Sequence, residues 1–259
     1  MSVKLTISIV SYHNYDDIIE LINSIEKYIN HNLRVQIYII DNGACDSSLN
    51  EIEDFKNELN KYGYTEYINP GENLGFGKGH NYVIDLIDSE YHAIVNPDIL
   101  LKEDSFSKII NYMDNRIDVG MVIPRLIDVN GNLQKVYREE VTIHDMFIRM
   151  FCPQLFPRKM DRITLQDKDY TKEFQVPFGQ GSFLIMRTNL FKKLKGFDDR
   201  FFMYMEDADL CKRVNLESKL MYFPETEVVH KWEKGSHKNK KLFKYHVRSM
   251  IKYFLKWGL

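Results

Sequence analysis

The amino-acid sequence predicts an α/β fold in which a mostly parallel sheet is flanked by helices. Short apolar runs, the first two at Leu5–Val10 and Val35–Ile40, alternate with segments whose apolar residues recur at helical spacing. Strands separated by helices are typical of βαβ units, which bind their ligands beyond the carboxyl ends of the strands. The 259 residues, 44% of them hydrophobic, are sufficient to bury one such core with an appendage.

The individual elements follow from spacing and capping signals. Leu5–Val10 is predicted as a buried strand, and apolar positions recur every three or four residues over Ile18–Ile29, which predicts a helix. Val35–Ile40 is predicted as the second strand, and Ser48 with Glu51 forms a capping box that begins the next helix. The same signals predict strands at Tyr64–Ile68, Tyr91–Asn96 and Val119–Pro124 and helices at Gly79–Ile87 and Glu103–Asn115.

The second half of the chain is less regular. Between Arg125 and Gln175 the turn signal "DVNGN" and the two prolines of "FCPQLFP" interrupt the pattern. We expect a functional or partly helical segment there, and no domain boundary. Beyond it the patterns predict strands at Gly181–Arg187, Leu220–Pro224 and Glu227–His230 and helices at Glu206–Ser218 and Lys240–Trp257.

Cysteine usage and the N-terminus indicate a chain that is neither exported nor inserted into a membrane. Cys45, Cys152 and Cys211 are far apart and include no C-x-x-C pair, which fits a reducing cytosol better than disulfides or a zinc site. The N-terminus lacks the basic, apolar and small-residue regions of a signal peptide. No apolar run approaches the ~18 residues of a spanning helix. We therefore expect a cytoplasmic protein.

Charge is distributed unevenly, although the formal net charge is only −2. Residues 231–259 contain nine Lys or Arg and one Glu, so this tail is about +8 and the rest of the chain about −10. The predicted tail helix is basic and amphipathic, which suits either contact with an anionic membrane surface or packing on the protein body. No nucleic-acid motif accompanies it, and the acidic body would repel a phosphate backbone, so no nucleic-acid partner is expected.

A glycine-rich segment, "NPGENLGFGKGHN", occupies residues 69–81. Glycines allow a backbone to approach a ligand closely, and the helix that follows points its N-terminus at phosphate. Two familiar phosphate motifs do not fit, because Lys78 is followed by glycine and because the glycines follow the third strand instead of the first. Spacing alone therefore leaves two interpretations open, a ligand loop and a simple turn.

A second polar segment, "NPD", ends a predicted strand. Asn96 and Asp98 offer an amide and a carboxylate at the sheet's carboxyl edge, and these oxygens are ligands that Mg²⁺ and Mn²⁺ accept. One carboxylate is sufficient where substrate phosphates and water complete the metal shell. The alternative interpretation is a cap of the next element.

Three acids follow an apolar run in "FFMYMEDAD". Glu206, Asp207 and Asp209 fall in the first turn of a predicted helix, where the helix dipole favours negative charge. That explanation is satisfied by exposed acids and does not account for the apolar residues before them. An apolar wall raises the pKa of a carboxylate and makes it a better proton acceptor, which favours a general base here.

Together, these segments resemble family 2 of the inverting glycosyltransferases with the GT-A fold, most strongly the bacterial rhamnosyltransferases that build O-antigen or capsule. The resemblance spans Ile7 to His230 and rests on Asp41 and on "NLGFGKGHN", "NPD", "GQGSFLIMR", "GFDDRFFMYMEDADLCKR" and "VVH". It implies a Rossmann-like, nucleotide-binding mixed sheet flanked by helices. Residues 1–230 would form this domain, with a nucleotide-sugar half at 1–124, an acceptor half at 125–230 and a basic helical tail at 231–259.

The resemblance also implies a role for each matching residue. Asp207 corresponds to the catalytic base, which Glu206 or Asp209 would orient or assist by holding acceptor hydroxyls. Asp98 and His230 correspond to metal ligands for Mg²⁺ or Mn²⁺. The nucleotide sugar is expected to contact Ser11, Tyr12, Asp41, Asn73, Gly75, Phe76, Gly77, Asn81, Asn96 and Asp98. One departure weakens the metal site, since Asn96 replaces the first acid of the family's D-x-D motif.

The implied activity is transfer of a sugar, L-rhamnose from dTDP-L-rhamnose, to a lipid-linked or glycan acceptor with inversion at the anomeric carbon. Other donors, such as UDP-galactofuranose or another UDP-hexose, are the nearest alternative. A catalytically inactive protein that binds nucleotide sugars is a second alternative. A nucleotide-dependent oxidoreductase is a third, which the misplaced glycines disfavour. Peripheral contact of the tail helix with the inner face of the cell membrane would bring the enzyme to a lipid-linked acceptor.

Overall fold

The computed structural model describes residues 3–231 and 240–258, which fold around a mixed nine-stranded sheet. The strands are β1 (Val3–Ser11), β2 (Val35–Asp41), β3 (Thr65–Ile68), β4 (Ser89–Val95), β5 (Ile99–Leu101), β6 (Val119–Ile127), β7 (Tyr137–Arg138), β8 (Phe174–Gln175), β9 (Phe178–Gly179), β10 (Phe183–Arg187) and β11 (Lys219–His230). The helices are α1 (Tyr15–Tyr28), α2 (Leu49–Leu59), α3 (Phe76–Asn81), α4 (Ser105–Asp114), α5 (Ile143–Phe151), α6 (Pro157–Ile163), α7 (Thr188–Lys193), α8 (Glu206–Glu217) and α9 (Lys240–Trp257).

The central sheet has the strand order β3-β2-β1-β4-β10-β6-β11-β5, and β8 pairs with β11 outside this path. Strands β1 to β4 are parallel, whereas β10 is antiparallel to both of its neighbours, β4 and β6. The carboxyl ends of β1, β2 and β4 therefore share one edge with the start of β10. Ser11 lies opposite Asp41 and Phe183 opposite Val95 at this edge. This topology confirms the predicted α/β fold.

One predicted helix and two predicted strands differ from those observed. Helix α3 begins at Phe76 and ends at Asn81, earlier than the predicted Gly79–Ile87, because Gly75 (φ 79°, ψ −173°) turns the chain into the helix at once. The strands predicted at Leu220–Pro224 and Glu227–His230 form one strand, β11, with an irregularity between Phe223 and Glu227. Pro224 lies in that irregularity, where a missing N–H costs no ladder hydrogen bond.

The irregular region between residues 125 and 175 is partly helical, as expected. It contains α5, α6, a turn of 3-10 helix and β7. Strand β7 pairs with β9 in a small two-stranded sheet apart from the central one. This second sheet carries residues from the irregular region to the edge of the central sheet where the predicted site lies.

A buried polar chain joins β1, β4 and α3. Ser8 Oγ lies 2.7 Å from His80 Nδ1 and 3.1 Å from His92 Nε2, and Thr6 Oγ1 lies 2.9 Å from His92 Nδ1. Burial lowers the pKa of His80 well below its usual value and that of His92 to about 3, so both rings are neutral at pH 7. These hydrogen bonds fix the helix that follows the glycine loop onto the central sheet.

The C-terminal helix α9 has the predicted bounds, and one of its faces packs on residues 3–231. Tyr253 and Phe254 are buried, and Ser249 Oγ donates to the Met203 carbonyl at 2.8 Å. Within residues 3–231 and 240–258, no helix combines the length and apolar character that crossing a membrane requires. The helix therefore contributes to the structure of the body, whatever its other contacts.

Candidate active site

The glycine loop is clamped between strand β2 and the loop that precedes α8. A Cβ atom at Gly75 would lie 2.1 Å from the Phe202 carbonyl oxygen, and the Phe76 N–H donates to that oxygen at 3.1 Å. On the other side, Asn42 Nδ2 donates to the Gly75 carbonyl at 2.9 Å, while Asn73 Oδ1 accepts from the Gly75 N–H at 2.9 Å. Only glycine fits here, because both the close approach and the positive φ exclude a side chain.

The next turn of the loop packs against the acidic helix α8. A Cβ atom at Gly77 would lie 3.6 Å from Glu206 Cβ, and the Phe76 ring comes within 3.4 Å of the Cβ position of Gly181. Gly181 in turn lies against Asp207, with 3.3 Å between its Cβ position and Asp207 Cβ. The glycine-rich loop and the acidic helix, 125 residues apart in sequence, thus form one wall of a cleft.

The nucleotide end of the predicted site lies where β1 and β2 end. Asp41 is 1% exposed, and its Oδ2 accepts hydrogen bonds from the hydroxyls of Tyr15 (2.7 Å) and Tyr67 (2.9 Å). Ser11 Oγ is buried and has no hydrogen-bond partner among the described residues, whereas Tyr12 is 49% exposed. Of these two predicted contacts, Tyr12 is therefore open to a ligand, whereas the Asp41 carboxylate is buried beneath two tyrosine hydroxyls.

A histidine and a carboxylate face each other at the end of β11. Gln134 Nε2 donates to the His230 carbonyl at 2.7 Å, so Gln134 Oε1 accepts from His230 Nδ1 at 2.8 Å. With the Nδ1 proton held by Gln134, His230 Nε2 is the ring atom available to a ligand, and it lies 3.3 Å from Asp98 Oδ2. A cation between these two atoms would be coordinated by both.

The neighbouring oxygens suit a cation. Asp98 Oδ1 and Asn96 Oδ1 are buried atoms without hydrogen-bond partners in the part of the chain that the structure describes, while the Asp98 side chain is 27% exposed. Two oxygens and one imidazole nitrogen form a donor set that Mg²⁺ or Mn²⁺ accepts when phosphate oxygens complete the shell. Among the described residues no cluster of three or more His, Cys, Asp or Glu forms a complete metal site. A divalent cation at this position would therefore need the Asn96 amide oxygen and the oxygens of a phosphate-bearing ligand.

Glu206 and Asp207 begin α8 after two residues with positive φ, Tyr204 (68°) and Met205 (69°). Asp207 Oδ1 accepts from the Ala208 N–H at 2.8 Å, and Oδ2 accepts from the Gly181 N–H at 3.4 Å. Burial raises the pKa of Asp207, while the Ala208 N–H and the Arg138 charge oppose the rise. Burial and the Asp207 charge raise the pKa of Glu206 to about 8. At pH 7 Glu206 is protonated, and Asp207 is the stronger candidate for a proton acceptor.

Backbone hydrogen bonds connect the acidic helix to the candidate cation site. The Asn96 N–H donates to the Ser182 carbonyl at 2.8 Å, and Ser182 follows Gly181, whose N–H points at Asp207. Asp207 and Asn96 therefore contact adjacent residues, Gly181 and Ser182, just before β10 begins. The structure brings Asp207 and the Asn96–Asp98 segment together at one edge of the sheet.

Comparison with known families identifies the chain. The sequence profile of glycosyl transferase family 2 matches residues 6–195. The chain belongs to glycosyl transferase family 2. It is a glycosyltransferase, and the matched residues run from β1 to the turn that follows α7, which includes the glycine loop and the Asn96–Asp98 segment.

Two relatives are similar to the glycosyltransferase in sequence, and one solved structure is similar to it in fold. Rhamnosyltransferase WbbL of Escherichia coli K12 is 27% identical over 95% of this chain and 91% of its own length. N-acetylglucosaminyl-diphospho-decaprenol L-rhamnosyltransferase of Mycobacterium tuberculosis is 24% identical over 76% of this chain and 66% of its own. GalNAc-T7 with UDP, GalNAc and Mn²⁺ has a TM-score of 0.70 at 12% identity, covering 98% of this chain and 48% of that one. The fold is GT-A.

Two side chains predicted as functional in the glycosyltransferase have structural partners instead. Asp209 is fully buried, and its oxygens are bound by Arg213 Nε (2.7 Å), Lys256 Nζ (2.6 Å) and Trp257 Nε1 (2.8 Å). No oxygen of Asp209 is left to orient Asp207 or to bind an acceptor, so this prediction is corrected. Its position two residues after the base reflects helical spacing, which turns the side chain to the opposite face of α8.

Asn81, predicted to contact the nucleotide sugar, is the second correction. Its Oδ1 accepts from the Phe197 N–H at 2.8 Å, and its Nδ2 donates to the Phe197 carbonyl at 2.8 Å. A Cβ atom at Gly196 would lie 2.0 Å from Asn81 Oδ1, which shows how tightly the loop before α8 is held. Asn81 therefore anchors that loop to α3 and has no oxygen or nitrogen directed at the nucleotide.

Sequence reasoning missed four residues of the glycosyltransferase site. Asn42 holds the glycine loop, Gln134 sets the tautomer of His230, and Arg138 and Arg149 are the basic groups that interact electrostatically with Asp207. Asn42 follows Asp41 at a strand end, and this position was a usable signal. Gln134, Arg138 and Arg149 come from the irregular region, where no periodicity indicates which side chains reach the cleft.

Proposed function

We propose that this glycosyltransferase moves L-rhamnose from dTDP-L-rhamnose to a hydroxyl of a lipid-linked or glycan acceptor in bacterial surface polysaccharide synthesis. The observation that carries the proposal is the placement of Asp207, a partly exposed carboxylate whose backbone contact at Gly181 ties it to the strand end that carries Asn96 and Asp98. The names of both relatives, which are rhamnosyltransferases, support the sugar. The name of the mycobacterial relative supports a lipid diphosphate-linked acceptor.

Asp207 acts as the general base in this proposal. Its Oδ2 faces the Gly181 N–H at 3.4 Å, a weak contact that leaves the oxygen able to accept a proton from an acceptor hydroxyl. The deprotonated oxygen attacks the anomeric carbon from the face opposite the nucleotide diphosphate, which inverts the configuration. Base assistance of this kind typically contributes ~10²–10⁴-fold to the rate.

Glu206 keeps its proton at neutral pH and so does not compete as a base. Glu206 Oε2 is a buried atom without a hydrogen-bond partner among residues 3–231 and 240–258, and Gly77 packs against the Glu206 Cβ. A protonated carboxyl can donate one hydrogen bond into the cleft, where a sugar hydroxyl or phosphate oxygen accepts it. Because Glu206 lies next to the glycine loop, we expect its hydroxyl to face the sugar that is transferred.

Asn96, Asp98 and His230 would hold Mg²⁺ or Mn²⁺ together with the donor. A bound divalent cation neutralises negative charge on a departing diphosphate. The protein's own contribution is to fix the donor atoms: Gln134 orients His230, and the Lys231 N–H donates to the Asp98 carbonyl at 2.9 Å. The GalNAc-T7 structure contains Mn²⁺, which is consistent with this choice of metal.

Two alternatives concern the same cleft. A UDP-hexose or UDP-galactofuranose donor would use the same residues, and the UDP bound by GalNAc-T7 favours it. A catalytically inactive chain would bind a nucleotide sugar without transferring it. The presence of a raised-pKa carboxylate at the cleft, Asp207, disfavours the inactive alternative because a purely binding site has no use for a tuned base.

Thermal stabilisation by dTDP, UDP and GDP, each with and without Mg²⁺ or Mn²⁺, tests the donor. We expect dTDP with a divalent cation to raise the melting temperature most, and dTDP-L-rhamnose to be hydrolysed slowly when no acceptor is present. Preference for UDP would replace the donor and keep the reaction class. Failure of all three nucleotides to stabilise the protein would reject the proposed function, and binding without hydrolysis or transfer would support the inactive alternative.

The outer face of α9 supports peripheral membrane contact. Lys244, Arg248, Ile251 and Leu255 follow one another at helical spacing of three or four residues, and all four are exposed. Ile251 is 56% exposed and Leu255 is 82% exposed, although both are large apolar side chains. A stripe of two basic and two apolar residues suits the surface of an anionic bilayer, where each basic residue contributes about 1 kcal/mol. We propose that this stripe places the enzyme at the inner face of the cell membrane.

A stripe variant tests membrane contact without removing α9, whose other face the body needs. We expect Ile251→Ser with Leu255→Ser to reduce co-sedimentation with vesicles of phosphatidylglycerol and phosphatidylethanolamine at least fivefold, and to leave the melting temperature unchanged. Leu216→Ser, which alters a 70% exposed leucine on α8, is the matched control. Equal sedimentation of all three proteins would dismiss the membrane contact.

A further inference from the structure

Two arginines that the proposed mechanism does not use lie close to Asp207. Arg138 ends β7, opposite Phe178 of β9, and its guanidinium lies 5.4 Å from the centre of the Phe178 ring. The strand β9 leads within two residues to Gly181, which contacts Asp207. Arg149 lies in the last turn of α5 and interacts electrostatically with both Arg138 and Asp207.

Neither arginine has a full complement of partners. Arg138 Nε is a buried atom without a hydrogen-bond partner, and across residues 3–231 and 240–258 neither guanidinium lies within ion-pair distance of a carboxylate. Among the residues that the structure describes, Asp207 is the acid whose charge acts on both of them. The nearby Glu140 is directed elsewhere, since its Oε1 lies 3.3 Å from Lys212 Nζ.

The local charge is therefore unbalanced. Burial and mutual repulsion lower the pKa of Arg138 to about 9, and burial lowers that of Arg149, yet Arg138 remains mainly protonated at pH 7. Two cations face one carboxylate, Asp207, while the adjacent Glu206 is neutral. Half-buried charges without a carboxylate partner are unfavourable in a folded protein, so a pair of them suits a site where a ligand supplies the counter-charge. Guanidinium groups bind phosphate oxygens in pairs of parallel hydrogen bonds.

The position of the arginines indicates which phosphate they bind. The donor diphosphate belongs at Asn96, Asp98 and His230, whereas Arg138 and Arg149 approach Asp207 from β7 and α5, in the irregular region. The hydroxyl that Asp207 deprotonates belongs to the acceptor. An anionic group carried by the same acceptor sugar would therefore lie near Asp207, where the charges of Arg138 and Arg149 act.

We propose that Arg138 and Arg149 bind a phosphate or diphosphate carried by the acceptor, so that the enzyme selects a sugar linked through phosphate over a neutral glycan. The inference rests on the proposed function and makes it more specific. The same ligand chemistry could come from the donor diphosphate, and the experiment has to separate these two sources of phosphate.

Farnesyl diphosphate, a prenyl diphosphate without a sugar, is the probe, and farnesol is its neutral counterpart. Binding is measured by calorimetry on the whole chain saturated with dTDP and Mg²⁺, so that the donor site is filled. We expect farnesyl diphosphate to bind the wild type, and Arg138→Gln and Arg149→Gln each to weaken that binding at least about tenfold, because a charge-assisted hydrogen bond is lost. Arg158→Gln, at an exposed arginine of α6, should bind as the wild type does.

Two further measurements keep the outcomes distinct. The Kd for dTDP should stay within about twofold in both variants, and the melting temperature of Arg138→Gln should equal or exceed that of the wild type, because an unpaired buried charge is removed. Equal binding of farnesol, no binding of farnesyl diphosphate, or a parallel loss of dTDP affinity in the variants would each overturn the inference. Absence of dTDP binding to the wild type would instead reject the proposed function.

Discussion

Replacing Asp207 by Asn should lower kcat by about 10²–10⁴-fold and leave the Kd for the nucleotide unchanged. The amide keeps the shape of the side chain and one of its two backbone hydrogen bonds, from Ala208 or from Gly181, but it cannot accept a proton at neutral pH. Transfer of sugar to acceptor, measured by release of the nucleotide diphosphate, gives kcat, and calorimetry with nucleotide gives Kd. A variant that retains turnover would remove Asp207 from the role of base.

Glu206→Gln is the matched control at the adjacent position. Because burial and the Asp207 charge raise the pKa of Glu206 to about 8, the wild-type side chain is neutral at pH 7, and a neutral amide replaces it with little change. We expect Glu206→Gln to keep at least about a tenth of the wild-type kcat at pH 7. The wild-type pH profile of kcat/KM should show an inflection near pH 8 that this variant lacks. A loss as large as that of Asp207→Asn would reverse the assignment of the two acids.

The same pKa shift affects stability. Glu206 has a folded pKa of about 8 and an unfolded value near 4.5, so the folded state binds the proton more tightly. This contribution to stability is fully present below pH 4.5 and is lost as the pH rises towards 8. The melting temperature of Glu206→Gln, relative to the wild type, should therefore increase between pH 5 and pH 8.

Replacing Asp209 by Ala should destabilise the fold by about 3–5 kcal/mol, which is the usual effect of removing one member of a buried charge cluster. Arg213 and Lys256 would remain only 14% and 18% exposed without their shared carboxylate. The Trp257 indole would also lose its hydrogen-bond acceptor, which loosens α9 from α8. Denaturant unfolding measures the loss, with Glu217→Ala, a member of an exposed ion pair with Lys193, as the control expected to change stability by less than about 1 kcal/mol.

Kinetics separate this structural role from catalysis. At a temperature where Asp209→Ala is folded, its kcat should lie within about tenfold of the wild type, because none of its partners reaches the cleft. A stable Asp209→Ala protein with the activity of Asp207→Asn would contradict the structural role and return Asp209 to the catalytic group.

Most of the fold was predictable because local signals agreed with the tertiary arrangement. The Ser48 and Glu51 capping box forms as expected, with the Ser48 N–H donating to Glu51 Oε2 at 2.9 Å. The alternation of strands and helices predicted the α/β fold that the structure has. It also predicted that Asp41 and Asn96 lie where strands end. Helix α3 was misplaced because its start depends on Gly75, and the close contact of Gly75 with Phe202 joins segments 127 residues apart.

The candidate site was predictable only in part. Asp207 and Asp209 are chemically alike and two positions apart, yet one faces the cleft and the other is bound by α9. Helical spacing predicts that the two side chains point to different sides of α8, but it does not indicate which side faces the cleft. Arg138 and Arg149 gave no signal because a basic residue in an irregular segment is usually solvated.

The sequence by itself determined the order of strands and helices, the family resemblance and the acids available for chemistry, because these depend on local periodicity and residue type. Only the tertiary structure decided which side chains share a cleft, since that depends on contacts between distant segments: Asp207 beside Gly181, His230 beside Asp98, and Asp209 beneath Trp257. Burial then set the charges. A carboxyl group is a base when ionised, a hydrogen-bond donor when protonated, or a structural anchor, according to the groups that surround it after folding.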